Sequence, residues 1–146
     1  MQVFITGTPL ETARALDRRR LNKQIIECKQ ILDALNGAKA WSNHPCVLQY
    51  DQALLGMGYK WIEMYMWCLQ AYHRGDLLCA RWYSDRADAW RPKFHTQEYF
   101  DQMKRRLFEK DEEHYKQWAH LGKSLDNWYY IDGKFVKYRN GRKVEE

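Results

Sequence analysis

Apolar residues recur at helical spacing through most of the chain, and β-branched or aromatic runs appear only near its two ends. Val3, Ile5 and Thr6 give residues 1–7 the character of an extended arm. Thr8-Pro9-Leu10-Glu11 then reads as a helix start: Thr8 caps, Pro9 fits the first helical position and Glu11 closes a capping box. The helix is expected to run to about Asn36, with Gly37 as its left-handed stop. Leu10, Ala13, Leu21, Ile25, Cys28, Leu32 and Leu35 share one face of such a helix. Asp17 interrupts that stripe, which points to a break near Leu16. Arg19, Lys23, Glu27 and Gln30 fall on the opposite, outward face.

Ala40 to Pro45 is expected to be a loop, and a second helix to start near Val47, break around Gly56 or Gly58, and continue to Gly75. Its face of Trp61, Met64, Tyr65, Cys68, Leu69 and Tyr72 suits the centre of a core. Leu77 to Trp90 reads as a third helix ended by Arg91-Pro92, and Thr96 to Lys110 and Asp111 to His120 as two more. Asp132-Gly133 between aromatic and β-branched runs over 127–138 predicts a tight hairpin. Residues 139–146 read as a charged, frayed tail. The pattern predicts an all-α, single-domain fold over residues 1–146: an arm over 1–7, a helical core over 8–120 and a small aromatic hairpin.

Composition narrows the class. The 146 residues are 45% hydrophobic and 15% aromatic, enough to fill one core, so global disorder is excluded. A net charge of +5 and a pI of about 9.0 suit a polyanionic partner without demanding one. Cys28, Cys46, Cys68 and Cys79 lack the spacing of a zinc knuckle, and Cys28 and Cys68 read as buried thiols. Residues 1–11 do not resemble a signal peptide, and Lys60 and Glu63 interrupt the richest apolar segment. A cytoplasmic monomer with no membrane partner, cofactor or metal is the expectation. There is no G-x-S-x-G elbow and no Walker loop.

Four clusters carry candidate chemistry. Arg18-Arg19-Arg20 with Lys23 stands near Glu27 on the charged face of the first helix. Helix-surface ion pairs explain such a face, but three adjacent arginines repel each other unless a polyanion or several carboxylates neutralise them. Asn43-His44-Pro45 follows, readable as turn chemistry or as side chains projecting into a groove. His95 and His114 have no partner at metal-ligand spacing, and Lys104-Arg105-Arg106 suits phosphates. The hairpin's aromatics, interleaved with Lys134 and Lys137, suit either base stacking or packing over the helices.

Together, residues 16–27, Asn43-His44-Pro45, Phe94-His95 and Lys110-Asp111-x-x-His114-Tyr115 resemble the small bacterial proteins grouped with the pyrimidine-dimer DNA glycosylases. The aromatic stretch from Trp128 to Tyr138 is similar to the C-terminal segment of the phage enzyme of that family. The resemblance covers most of the chain. It implies a helical fold and a two-step reaction on damaged duplex DNA: a terminal amine attacks the sugar C1′ to form a Schiff base, and β-elimination nicks the strand. It implies Glu27 as the essential helix glutamate. It implies Arg19, Arg20 and Lys23 as phosphate contacts. The further candidate DNA contacts are Gln24, Asn43, His44, His95, Lys104, Arg105, Arg106, Lys110, His114, Tyr115, Trp128 and Lys134.

An α-amine suits that role because it ordinarily titrates at about 7.7–8.0, against about 10.4 for a lysine. Arginines near Glu27 are expected to keep it ionised. The phage enzyme exposes a small second residue, whereas Gln2 is bulky and leaves Met1 in place. The amine is then that of Met1, with Lys23 as the alternative nucleophile. Two other functions stay open at this point: a nucleic-acid-binding module without catalysis, and a glycosidase acting on a modified nucleoside or nucleotide.

Overall fold

The computed structural model describes residues 1–51 and 56–144. The fold is mostly helical and ends in a small antiparallel sheet. The capping box at Thr8 forms as expected: Glu11 N donates to Thr8 Oγ1 at 3.2 Å and Thr8 N to Glu11 Oε1 at 3.1 Å. It opens α1 (Pro9–Ala15), which stops at Leu16. Asp17 caps α2 (Arg18–Leu35) by accepting from Arg20 N at 3.4 Å. The polar break in the apolar stripe is therefore a helix boundary, where a short carboxylate satisfies backbone donors that a new helix leaves open. Gly37 follows α2 with φ 103, as its place after the last helical turn requires.

The loop before α3 ends two residues earlier than the hydrophobic pattern suggests, because Pro45 occupies the first position of α3 (Pro45–Asp51). Gly56, at φ 70, precedes α4 (Met57–His73). The expected interruption is therefore present, although residues 52–55 lie outside the described residues. Gly58 allows α4 to cross α3 closely: a Cβ there would lie 2.0 Å from the carbonyl oxygen of Tyr50. α5 (Leu77–Ala87) passes into a 3₁₀ turn over Asp88–Trp90, and α6 (Gln97–Lys110) follows. The short helix expected over 111–120 is instead a turn followed by a 3₁₀ helix over Lys116–Leu121.

α4 is the central element. It packs against α1, α2, α3 and α5 and buries Trp61, Ile62, Tyr65, Cys68 and Leu69. The N-terminal arm is not a surface strap. Val3 and Ile5 are fully buried, and the arm threads into the core between α2 and the C-terminal sheet. Gln24 holds it: Phe4 N donates to Gln24 Oε1 at 2.6 Å, and Gln24 Nε2 donates to the Gln2 carbonyl at 3.2 Å. One side-chain amide thus pairs with the arm's backbone on both its donor and its acceptor.

The hairpin forms between β1 (Asn127–Ile131) and β2 (Lys134–Arg139), with Ile131 opposite Lys134. Asp132 at φ 52 and Gly133 at φ 80 make the two-residue turn that suits the strand twist. A second tight turn at Asn140-Gly141 adds β3 (Arg142–Lys143). The tail expected to fray is therefore paired through Lys143, and the hairpin is a three-stranded sheet. Among the described residues no helix is long and apolar enough to cross a membrane.

Candidate active site

The α1–α2 corner sets the site. Tyr115, fully buried, presses its hydroxyl onto the Asp17 carboxylate and accepts from Asp17 N at 3.1 Å. His114 Nε2 lies 3.3 Å from the Ala15 carbonyl. These two residues, expected to touch DNA, instead clamp the start of α2 from the segment after α6. With that end fixed, α2 presents Arg19, Arg20, Lys23, Gln24 and Glu27 to one open cavity of about 580 Å³.

The N-terminus closes the same cavity. Met1 and Gln2 line it, the Met1 carbonyl accepts from Tyr129 Oη at 3.1 Å, and Gln2 N donates to Glu27 Oε2 at 3.3 Å. Glu27 is therefore not on a solvated face, as its place opposite the apolar stripe suggests. It is 7% exposed, because residues of the arm cover it. Gln24 Nε2 also donates to Oε2, at 3.3 Å, while Lys23 Nζ stands 3.9 Å from Oε1.

Burial raises the Glu27 carboxyl above its ordinary range. The terminal ammonium opposes that shift most strongly, followed by Lys23, the Gln2 hydrogen bond and Lys110. The expectation that arginines keep Glu27 firmly ionised is thus corrected: removal from water outweighs the surrounding cations, and the charge that acts most strongly on it is the chain terminus.

Gln24 is corrected as a DNA contact. It is 2% exposed, and all four of its hydrogen-bonding positions are filled by Gln2, Phe4, Glu27 and Tyr65. His95 is also corrected. It sits 3% exposed in an aromatic cluster, bonded to Tyr50 Oη at 3.0 Å, and burial lowers its pKa to about 3, so it stays neutral and out of DNA's reach. Arg105 Nε donates to the Leu121 carbonyl at 2.9 Å. Arg106 Nε donates to Asn127 Oδ1 at 2.9 Å and its Nη1 pairs with Glu109 at 2.5 Å. Both arginines dock the C-terminal segment onto α6 rather than standing open to phosphates. Lys104 lines a different, smaller cleft beside Arg91 and Gln97.

Arg20 lines the cavity but is already paired with Asp17 at 3.2 Å and lies 4.0 Å from Asp111. Arg19 is exposed and has no acidic partner among the described residues. Of the stretch from Lys104 to His114, Lys110 alone lines the cavity, and its pKa is lowered by burial and by Arg106 and Arg20. Asn43 is exposed in its loop and lies outside the lining, whereas His44 and Pro45 form part of the wall.

His44 Nδ1 accepts from Cys46 N at 3.1 Å, which leaves Nε2 to carry the proton of the neutral ring. Burial and the nearby terminal ammonium both lower its pKa. His44 therefore meets a ligand as a neutral hydrogen-bond donor rather than as a cation.

The sheet supplies the opposite wall through Asn127, Tyr129, Tyr138 and Gly141. Sequence reading chose Trp128 and Lys134 instead. Trp128 packs on Phe135 at 5.3 Å under Lys137, and Lys134 is exposed beside the hairpin turn; neither lines the cavity. Strand alternation places Tyr129 and Trp128 on opposite faces, but only the docked sheet shows which face meets the arm.

A family model described as pyrimidine dimer DNA glycosylase matches residues 1–75. The chain belongs to that family. The matched stretch carries the arm and α1 to α4, and with them Met1, Arg19, Lys23, Glu27 and His44. Lys110 and the tyrosine wall lie beyond it, so this chain completes its cavity with residues from outside the matched region. No curated protein and no solved structure matches the chain. Among the described residues no group of His, Cys, Asp and Glu side chains is placed to hold a metal, and the four cysteines are free.

Proposed function

We propose that this chain is a glycosylase acting on pyrimidine dimers in duplex DNA, that it also nicks the strand by elimination, and that the Met1 amine is its nucleophile. The observation that carries this reading is the folding of the N-terminus onto Glu27 inside a cavity rimmed by Arg19, Lys23 and Lys110. Core packing alone does not call for a terminal amine, a buried carboxylate and three cations at one opening.

The chemistry balances with the groups present. The neutral amine bonds to C1′ as the bond from C1′ to the base breaks, and the departing base takes the electron pair and a proton. The amine nitrogen then loses its proton, the C1′–O4′ bond opens, and O4′ is protonated, leaving a Schiff base. Removal of a C2′ proton expels the 3′ phosphate and leaves a double bond between C2′ and C3′. Glu27 suits the transfers at O4′ and C2′, because a carboxylate raised by burial is a stronger base than an ordinary one and its acid form can return the proton. The neutral Nε2–H of His44 is a donor for a sugar or base oxygen in the same space.

Borohydride trapping on ultraviolet-irradiated duplex and on abasic duplex tests the reading: a covalent adduct is expected on both. A pure protein that binds such DNA in a salt-sensitive manner yet gives no adduct would be a binding module. Turnover of free nucleotides with none of DNA would make it a nucleoside-type glycosidase.

Arg19 has the clearest phosphate role, since its charge is not spent on an acidic partner among the described residues. Arg19→Ala is expected to weaken binding and reduce the slope of log K against log salt by about 0.9, the amount for one phosphate. Titrations at several salt concentrations measure it, and an unchanged slope removes Arg19 from the interface.

A further inference from the structure

Trp41 packs on His44 of the cavity wall, outside the lining itself, and takes no part in the reaction described above. It is 46% exposed, and its backbone is held at φ 65, a left-handed conformation that an aromatic residue enters at a cost. The turn that holds it is well tied. Ser42 N and Ser42 Oγ both donate to the Lys39 carbonyl, at 3.2 and 2.9 Å, and His44 N donates to the Trp41 carbonyl at 2.9 Å. The Trp41 ring meets His44 edge-on with centroids 5.6 Å apart, and His44 meets Tyr129 in the same way at 5.9 Å. Three rings thus run from the cavity wall to solvent, with Trp41 outermost.

The cavity that His44 shares with Arg19 and Lys23 indicates what the ring meets. Arg19 and Lys23 present a cationic stripe on α2, and Ile26 continues it, 59% exposed and about two turns beyond Arg19. Large apolar side chains left in water beside cations suit the faces of bases flanked by phosphates. Such a device also suits the cavity: Met1 and Glu27 line it, and enzymes that act on a base in a duplex generally open the stack to reach it.

We propose that Trp41 is a wedge that enters the base stack at the lesion and holds the duplex open while the damaged nucleotide's sugar reaches the cavity. This rests on the DNA reading above and assigns the residue that opens the substrate. The ring replaces stacking that the separated bases lose, and His44 ties its position to the cavity wall.

Trp41→Gly tests the idea without endangering the fold, because glycine is the residue that φ 65 favours. Its Tm is expected to equal or exceed that of the wild type. Trapping rates on dimer-containing duplex should fall by about tenfold or more, while those on an abasic single strand, which has no stack to open, should change by less than roughly threefold. Trp41→Phe should restore most of the duplex rate. Independently of any adduct, 2-aminopurine placed beside the lesion should brighten when the wild type binds and stay dim with Trp41→Gly.

Equal duplex rates and equal brightening for the two proteins would overturn the wedge. Equal loss on both substrates would also overturn it, because Trp41 would then be supporting His44 and the cavity. No adduct from the wild type on either substrate, with brightening retained, would instead sink the glycosylase reading and leave the wedge standing.

Discussion

Replacing Glu27 with Gln is expected to lower strand cleavage by about 10²- to 10⁴-fold, the usual scale for loss of a general acid–base group, while leaving DNA binding within a few-fold of the wild type. The amide keeps an oxygen to accept from Gln2 N and Gln24 Nε2, so the arm stays docked. What disappears is the group that takes and returns a proton. The same substitution is expected to stabilise the protein at neutral pH, by about 0.5–2 kcal/mol, because a buried carboxylate held above its ordinary range is uncomfortable when ionised.

The sign of the pH dependence follows. With the folded pKa raised, the wild type binds the Glu27 proton more tightly when folded than when unfolded. Its stability relative to Glu27→Gln is therefore greatest below the unfolded carboxyl value near 4.5. That advantage is lost as pH rises through the folded value. Thermal melts of both proteins from pH 4 to pH 8 should show the gap opening upward in favour of the amide. A gap that instead closes with rising pH would mean that the cations win and Glu27 is fully ionised. Undiminished cleavage by Glu27→Gln would remove it from the chemistry.

The elements that depend on neighbours in sequence were legible. Thr8, Pro9 and Glu11 announce α1 because a cap is a local contract between residues three apart. Asp17 was readable as an interruption, and its physical role as an N-cap explains it. Asn140-Gly141 is as strong a turn signal as Asp132-Gly133, yet the charge of residues 139–146 outweighed it, and β3 was missed.

The cavity was legible in half. Glu27, Arg19, Lys23 and His44, all candidates from the sequence, line it, and each stands on α2 or in the loop that follows. The burial of Glu27 was not foreseeable from helical period, since it comes from an arm 25 residues away in sequence. Arg105, Arg106 and Tyr115 show the converse error: cations and tyrosines that suit phosphate in a bare sequence are spent on Leu121, Asn127 and Asp17 once the chain closes on itself. Residue type proposes a partner, and only tertiary neighbours decide whether that partner is internal.

The nucleophile gives the second large expected effect. A short flexible extension placed before Met1 should abolish both adduct formation and strand cleavage while leaving the fold and DNA binding close to those of the unextended protein. Met1 lines the open cavity and is only half-buried, so added residues have a way out to solvent, whereas the reacting nitrogen becomes an amide without a nucleophilic lone pair. Two lysines compete for the role. Lys23 Nζ lies 3.9 Å from Glu27 Oε1, but its side chain is 73% exposed, so it is loosely held at the cavity's edge. Lys110 lines the cavity, and its lowered pKa makes it the better rival. Reductive trapping followed by peptide mapping separates the three. The modified peptide is expected to contain Met1, and Lys23→Gln and Lys110→Gln should each still trap. The arm supplies the reason: Gln24, Tyr129 and Glu27 between them grip the backbone of Met1, Gln2 and Phe4, which fixes the terminal nitrogen far more tightly than a lysine stem is fixed. An adduct mapped to Lys110, or full activity in the extended protein, would transfer the nucleophile to the lysine and leave the Met1 arm as scaffolding for Glu27.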